Sequence, residues 1–148
     1  MKKIVALALT LTIIAVATVL ANSYPIIIDS IATKDLEGNT KTTFSRGEVV
    51  VIETTLKANP SYYFAAPVDY LEIVEVFYGA QVMNLLLTRD SISSGETKTF
   101  GGGYRIRDYD PTGTYTVETY VWNGFPSEMG ADWEPLAAPK TKTFKVNP

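Results

Sequence analysis

"DPTGTYTVETYVW", Asp110 to Trp122, carries the pattern on which the fold depends. Asp-Pro and Gly mark a turn. After Gly113 the residues Tyr115, Val117, Thr119 and Val121 fall on one side and Thr116, Glu118 and Tyr120 on the other. A period of two, in residues rich in Thr, Tyr and Val, is the signature of a β-strand with one face buried.

The same texture recurs on both sides. Runs rich in Val, Ile, Thr and Tyr, bounded by Gly, Pro, Asn and Asp, predict strands at Pro25–Thr33, Glu48–Lys57, Asp69–Gly79, Gln81–Thr88, Gly95–Arg107, Thr114–Trp122 and Lys140–Val146. In the second, Val50, Ile52, Thr54 and Leu56 share one face and Glu53, Thr55 and Lys57 the other. Helix signals are nearly absent after residue 23. Seven to eight strands without helical crossovers predict an all-β, antiparallel two-sheet sandwich. No repeat or low-complexity linker divides the chain, so one domain is expected over residues 24–148. The glycines Gly101 to Gly103 precede a strand pattern and not a helix N-terminus, so they are expected to form a bulge or sheet-edge bend and not a phosphate cradle.

Asp110, Gly113 and Tyr115 sharpen this expectation. In immunoglobulin-like sandwiches a Tyr at the start of the strand before last turns back, and its hydroxyl bonds backbone upstream, pinning a corner between the sheets. Val117 stands where antibody domains carry the second disulfide cysteine, but the bridge and the strand-C Trp are absent. The pieces "RGEVVVIETTLK", "DSISSGETKTF" and "DPTGTYTVETYV" resemble the cell-adhesion-related domains of bacterial and archaeal exported proteins. That resemblance covers about Ile26 to Trp122 and implies an immunoglobulin-like fold and a surface or adhesion role. Long apolar loops and the lack of a tandem copy depart from the family pattern and speak against a simple spacer.

The chain has 148 residues, a formal charge of −3, no Cys and no His. It opens with Lys2 and Lys3, an apolar run from Ile4 to Ala21, and small residues at Val19 and Ala21. That is the layout of a secretory signal peptide, with cleavage expected after Ala21, and a signal-peptide helix is expected there. An uncleaved anchor is the competing expectation, because the run approaches the length that spans a membrane. Without cysteine there is no lipid attachment site and no disulfide, so the apolar core alone must hold an exported domain together. The acidic balance and the lack of any basic cluster argue against nucleic acid as a partner.

Between the last two strands lies a segment, Asn123 to Pro139, with no periodicity but with Phe125, Met129, Trp133 and Leu136. In immunoglobulin order it is the F–G loop, and Ala58 to Pro67, with Tyr62, Tyr63 and Phe64, is the B–C loop. Both leave the same end of a sandwich. Tyr62, Tyr63 and Phe64 are therefore expected to face Trp122, Phe125 and Trp133. Trp122 and Trp133 are expected to turn inward as a satellite core, because indoles bury the most area. Tyr62, Tyr63 and Phe125 are left open between burial and a wet rim.

Without His or Cys there is no Ser-His-Asp or Cys-His set and no imidazole for zinc. Glu53, Glu72, Glu75 and Glu118 are expected on solvated strand faces, so no acid pair for glycoside hydrolysis is predicted. "DLEGN", Asp35 to Asn39, resembles half a calcium loop but reads as a hairpin turn; Asp108 and Asp110 form the other weak calcium candidate. No cofactor or metal is expected. The expectation is a non-catalytic, secreted or cell-surface structural or adhesion module. Its partners would be other copies or cell-surface components, met through the N-terminal strand or the aromatic loop end. Polysaccharide binding is the alternative, as is a membrane-tethered accessory domain held by an uncleaved signal segment.

Overall fold

Alternation along the chain becomes two sheets in the computed structural model, which describes residues 24–148. The signal peptide expected at Met1–Ala21, with the helix expected there, lies outside the described residues. The elements run β1 (Ile26–Lys34), β2 (Thr43–Ser45), β3 (Val49–Ala58), β4 (Val68–Tyr78), β5 (Gln81–Ile92), β6 (Thr97–Arg105), β7 (Gly113–Trp122), the single helical turn α1 (Pro126–Met129), a 3₁₀ turn (Gly130–Asp132) and β8 (Lys140–Asn147). One sheet has the order β1-β3-β6 and the other β2-β8-β7-β4-β5. This is the pairing of strands A-B-E against A′-G-F-C-C′ in an immunoglobulin-like sandwich.

The core lies between the sheets and follows the period-two pattern. Val50, Ile52 and Leu56 of β3 face Val74 and Val76 of β4 and Tyr115, Val117 and Val121 of β7, all buried. Each fully buried aliphatic side chain contributes roughly 1.5–3 kcal/mol relative to exposure. Among the described residues four inward strand positions are polar and buried: Thr33, Thr54, Glu72 and Thr119. Glu72 corrects the expectation of a solvated strand face. It is 1% exposed and accepts a hydrogen bond from the Thr54 hydroxyl of the opposite sheet. Tyr70 and Glu72 share the inward face of β4 with Val74 and Val76; alternation shows that a face exists, not which one.

β2 was not expected. It has three residues and pairs in parallel with β8, so it leaves almost no periodic signal. Gly101 to Gly103 form no bulge, because β3 and β6 pair one to one from Val49↔Arg105 to Lys57↔Thr97. The glycine is needed for space: a Cβ on Gly102 would lie 2.5 Å from Leu86 Cδ1, so Leu86 of β5 packs directly on the strand backbone. β1 pairs along its length with β3 in its own sheet, with a bulge between Ile28 and Ser30.

Candidate functional site

The two ends of the sandwich are built from different chemistry. At one end, β6 turns into β7. Tyr115 Oη donates to the Pro111 carbonyl (2.7 Å), and its ring stacks on Phe144 with centroids 5.1 Å apart. Asp110 is 2% exposed, and its Oδ2 accepts from Tyr104 Oη (2.6 Å) and from the Arg107 amide (2.8 Å). Arg46 Nε donates to the Asp110 carbonyl (2.9 Å). Gly113 has φ +132°, a conformation that side chains disfavour, and a Cβ there would sit 3.2 Å from the Tyr78 ring. Asp110, Gly113 and Tyr115 thus share one corner. Burial pushes the Tyr104 and Tyr115 phenols upward, so both stay neutral donors.

The other end carries the long loops. Leu71↔Trp122 pairing in antiparallel β4 and β7 makes the B–C and F–G loops leave together. The F–G loop is ordered by its own backbone: the Met129 amide donates to the Phe125 carbonyl (3.0 Å) and the Leu136 amide to Val121 (2.8 Å). Asn123 clamps its base, giving Nδ2 to the Asp132 carbonyl (2.6 Å) and accepting from the Glu134 amide (3.1 Å). Leu136 and Ala137 enter the core. The loop therefore closes the open end of the sandwich, as a satellite core should.

Its indoles do not follow Leu136 inward. β7 alternates, so Trp122 falls on the outer face of the five-stranded sheet, with Glu118 and Tyr120. Trp133 lies flat on it, with centroids 4.0 Å apart and planes 10° from parallel. Trp133 Nε1 donates to the Gly124 carbonyl (3.0 Å), yet 38% of the residue remains in water. This corrects the inward expectation for the pair: Trp122 is half-buried and Trp133 exposed, because strand parity decided the face. Beside them Tyr24, Tyr120, Pro135 and Pro139 line an apolar groove of about 190 Å³.

The remaining rings of this end sit in different surroundings. Phe125 lies under the Arg89 guanidinium, 4.8 Å from its centroid, and Arg89 pairs with Glu128. Phe64 packs against the core, Tyr62 is half-buried, and Tyr63 is 88% exposed. What links the loops is Asn59, which the sequence did not single out. Asn59 is 3% exposed, and its Nδ2 donates to the Tyr24 carbonyl (2.8 Å) and its amide to Pro25 (2.9 Å). The Ile26 amide in turn donates to Leu136 (2.9 Å). An Asn at a strand end is the one cue available, since its amide can satisfy a loop backbone.

A cleft of about 450 Å³ lies beside the F–G loop, lined in part by Asp69, Arg89, Asp90, Asn123 and Glu128. Two of its three acids, Asp90 and Glu128, are engaged. Lys98 donates to Asp90 at 2.8 Å and Arg89 pairs with Glu128, and these hydrogen bonds hold both carboxyls below their ordinary values. Glu72 is shifted the other way, raised by burial, but it is sealed between the sheets. Asp35 accepts from the Asn39 amide (2.8 Å) within a tight turn, and Asp108 is exposed. Among the described residues no group of three metal-ligating side chains converges.

No protein-family model matches the chain, and no curated protein matches it. Among solved structures it is similar to the C-terminal domain of wzt, at 11% identity over 85% of this chain and 75% of that one, with a TM-score of 0.63. It is similar to the Pseudomonas fluorescens alkylpurine DNA glycosylase AlkC bound to DNA containing an abasic site analog, at 16% identity and a TM-score of 0.57. That match covers 84% of this chain and only 31% of the glycosylase. A CARDB domain from Pyrococcus furiosus in complex with di-metal ions is also similar, at 12% identity over 84% of this chain and 92% of that one, with a TM-score of 0.50. At such identities the likeness is one of fold: this chain shares an immunoglobulin-like β-sandwich with them.

Proposed function

We propose that this chain is a non-catalytic adhesion or structural module, exported to the cell surface or beyond, that presents its aromatic loop end to another protein copy or surface component. The observation that carries this reading is the Trp122–Trp133 stack. Two indoles, fixed by strand pairing and by the Trp133–Gly124 hydrogen bond, hold an apolar surface in water without freedom to collapse. A preorganised aromatic surface loses little entropy on binding, and Trp and Tyr dominate contact energies. Tyr62, Tyr63 and Phe125 extend the same end. In the neighbouring cleft Asp90 and Glu128 are each ion-paired, to Lys98 and Arg89, which favours a structural role for those two carboxylates.

The test is retention of the full chain by whole cells and by isolated cell-surface material. Trp133→Ala is expected to weaken retention about thirtyfold, the cost of a contact hot spot. Tyr109→Ala, at the opposite end and 76% exposed, leaves it unchanged. Equal retention of the two variants overturns the reading. A sugar platform needs two rings side by side in one plane, whereas these indoles lie face to face and leave one outer surface. Tryptophan-fluorescence titration with polysaccharides separates that alternative, and mass spectrometry of the native N-terminus separates secretion from anchoring.

A further inference from the structure

Among the described residues four strands lie at sheet edges: β1 and β6 in one sheet, β2 and β5 in the other. An edge strand presents unpaired N–H and C=O groups, and proteins guard such rows with charge, bulges, covering groups or shortness. Three of these edges are guarded. Lys140 Nζ donates to the Ile28 and Asp29 carbonyls at the β1 bulge (3.3 and 2.5 Å). β2 has three residues. β6 carries Lys98 and Arg105, and Lys98 reaches across to Asp90 of β5 at 2.8 Å.

β5 differs. It is twelve residues long, and its run from Gln81 to Thr88 contains no charge, Pro or Gly. A register shift leaves Met83 unpaired, which bounds the regular part on one side. Arg89 and Asp90, both ion-paired within the chain, bound it on the other. Between them stands "NLLLT", Asn84 to Thr88, symmetric about Leu86 in size and polarity. Leu85 and Leu87 point to the outer face and are 49% and 50% exposed, and Ile73 of β4 continues that face beside Leu87. Leu86 points inward onto Gly102.

We propose that Asn84–Thr88 pairs antiparallel with the same segment of a second copy, about a two-fold axis at Leu86, joining two five-stranded sheets edge to edge. In this register Leu85 stands opposite the partner's Leu87, and Asn84 opposite the partner's Thr88. Moving the axis to Arg89 or Asp90 would set a charge against its own copy, which disfavours those registers. Five paired residues span about 17 Å, so the contact is small and its assembly depends on concentration. It does not require the loop end to bind anything.

Sedimentation velocity of the full chain over a concentration series is expected to show a monomer–dimer equilibrium. Leu85→Lys with Leu87→Lys puts lysine opposite lysine at two cross-strand pairs and is expected to weaken the dimer about thirtyfold. Leu85→Lys with Leu87→Glu puts opposite charges in the same places and restores it. Both sites are surface-facing, and an unchanged urea midpoint verifies the fold. A monomer at every concentration, an unaffected Lys/Lys dimer, or equal loss in the Lys/Glu variant each overturns the proposal. So does a dimer that only Trp133→Ala dissolves, since that contact belongs to the loop end.

Discussion

Tyr115 and Trp122 sit near opposite ends of β7 and differ in almost everything else. Tyr115 faces inward, is fully buried, and touches rings from three other strands: Tyr78, Tyr104 and Phe144. Trp122 faces outward and is covered by one indole from a loop. One end of the sandwich therefore spends its aromatic area on stability, and the other holds comparable area at the surface. Strand parity, and not residue hydrophobicity, sorts the two.

If that contrast holds, mutations at the corner should cost stability and mutations at the loop end should cost contact. Tyr115→Ala is expected to cost about 3–5 kcal/mol in urea unfolding, because it empties a cavity among packed rings and removes the Pro111 bond. Gly113→Ala is expected to cost about 1–3 kcal/mol, since φ +132° and the Tyr78 ring both oppose a Cβ. Trp133→Ala should cost about 1 kcal/mol, the value of a partly exposed stack. A loss at Trp133 as large as at Tyr115 would erase the distinction between the ends.

Glu72, between the ends, has an effect that depends on pH. Its folded-state pKa is raised above the ordinary 4.5 by burial, so the folded state holds the proton more tightly than the unfolded one. Glu72's contribution to stability then falls as pH rises from about 4.5 through the folded value, and its full penalty remains above it. Glu72→Gln keeps an amide for Thr54 and removes the ionisation. The variant should match wild type near pH 4 and be the more stable at neutral pH, as read by urea midpoints across pH. A Glu72→Gln midpoint that keeps the same offset from wild type at every pH would contradict the burial.

The strands were legible because their pattern is local. β3 shows it most plainly: Val50, Ile52, Thr54 and Leu56 are buried and Lys57 is exposed, as alternation requires. β2 was missed because a three-residue parallel strand carries no period. Gly101 to Gly103 were legible as a special place, but not as room for Leu86, which arrives from another strand. The candidate site was half legible. Pattern reasoning found the rings of the loop end and the fact that both loops share it, yet it turned Trp122 and Trp133 inward, when strand parity sets them on the outer face.

By itself the sequence determined an all-β chain with alternating faces, no cysteine to staple it and a turn chemistry that places Tyr115 at a corner. Those properties follow from backbone geometry and residue type within a few positions. Only the tertiary structure decided that Glu72 lies in the core, that Trp133 stacks outside it and that β5 ends a sheet. Each of these depends on which strand lies beside which, and burial is a property of neighbours distant in the chain.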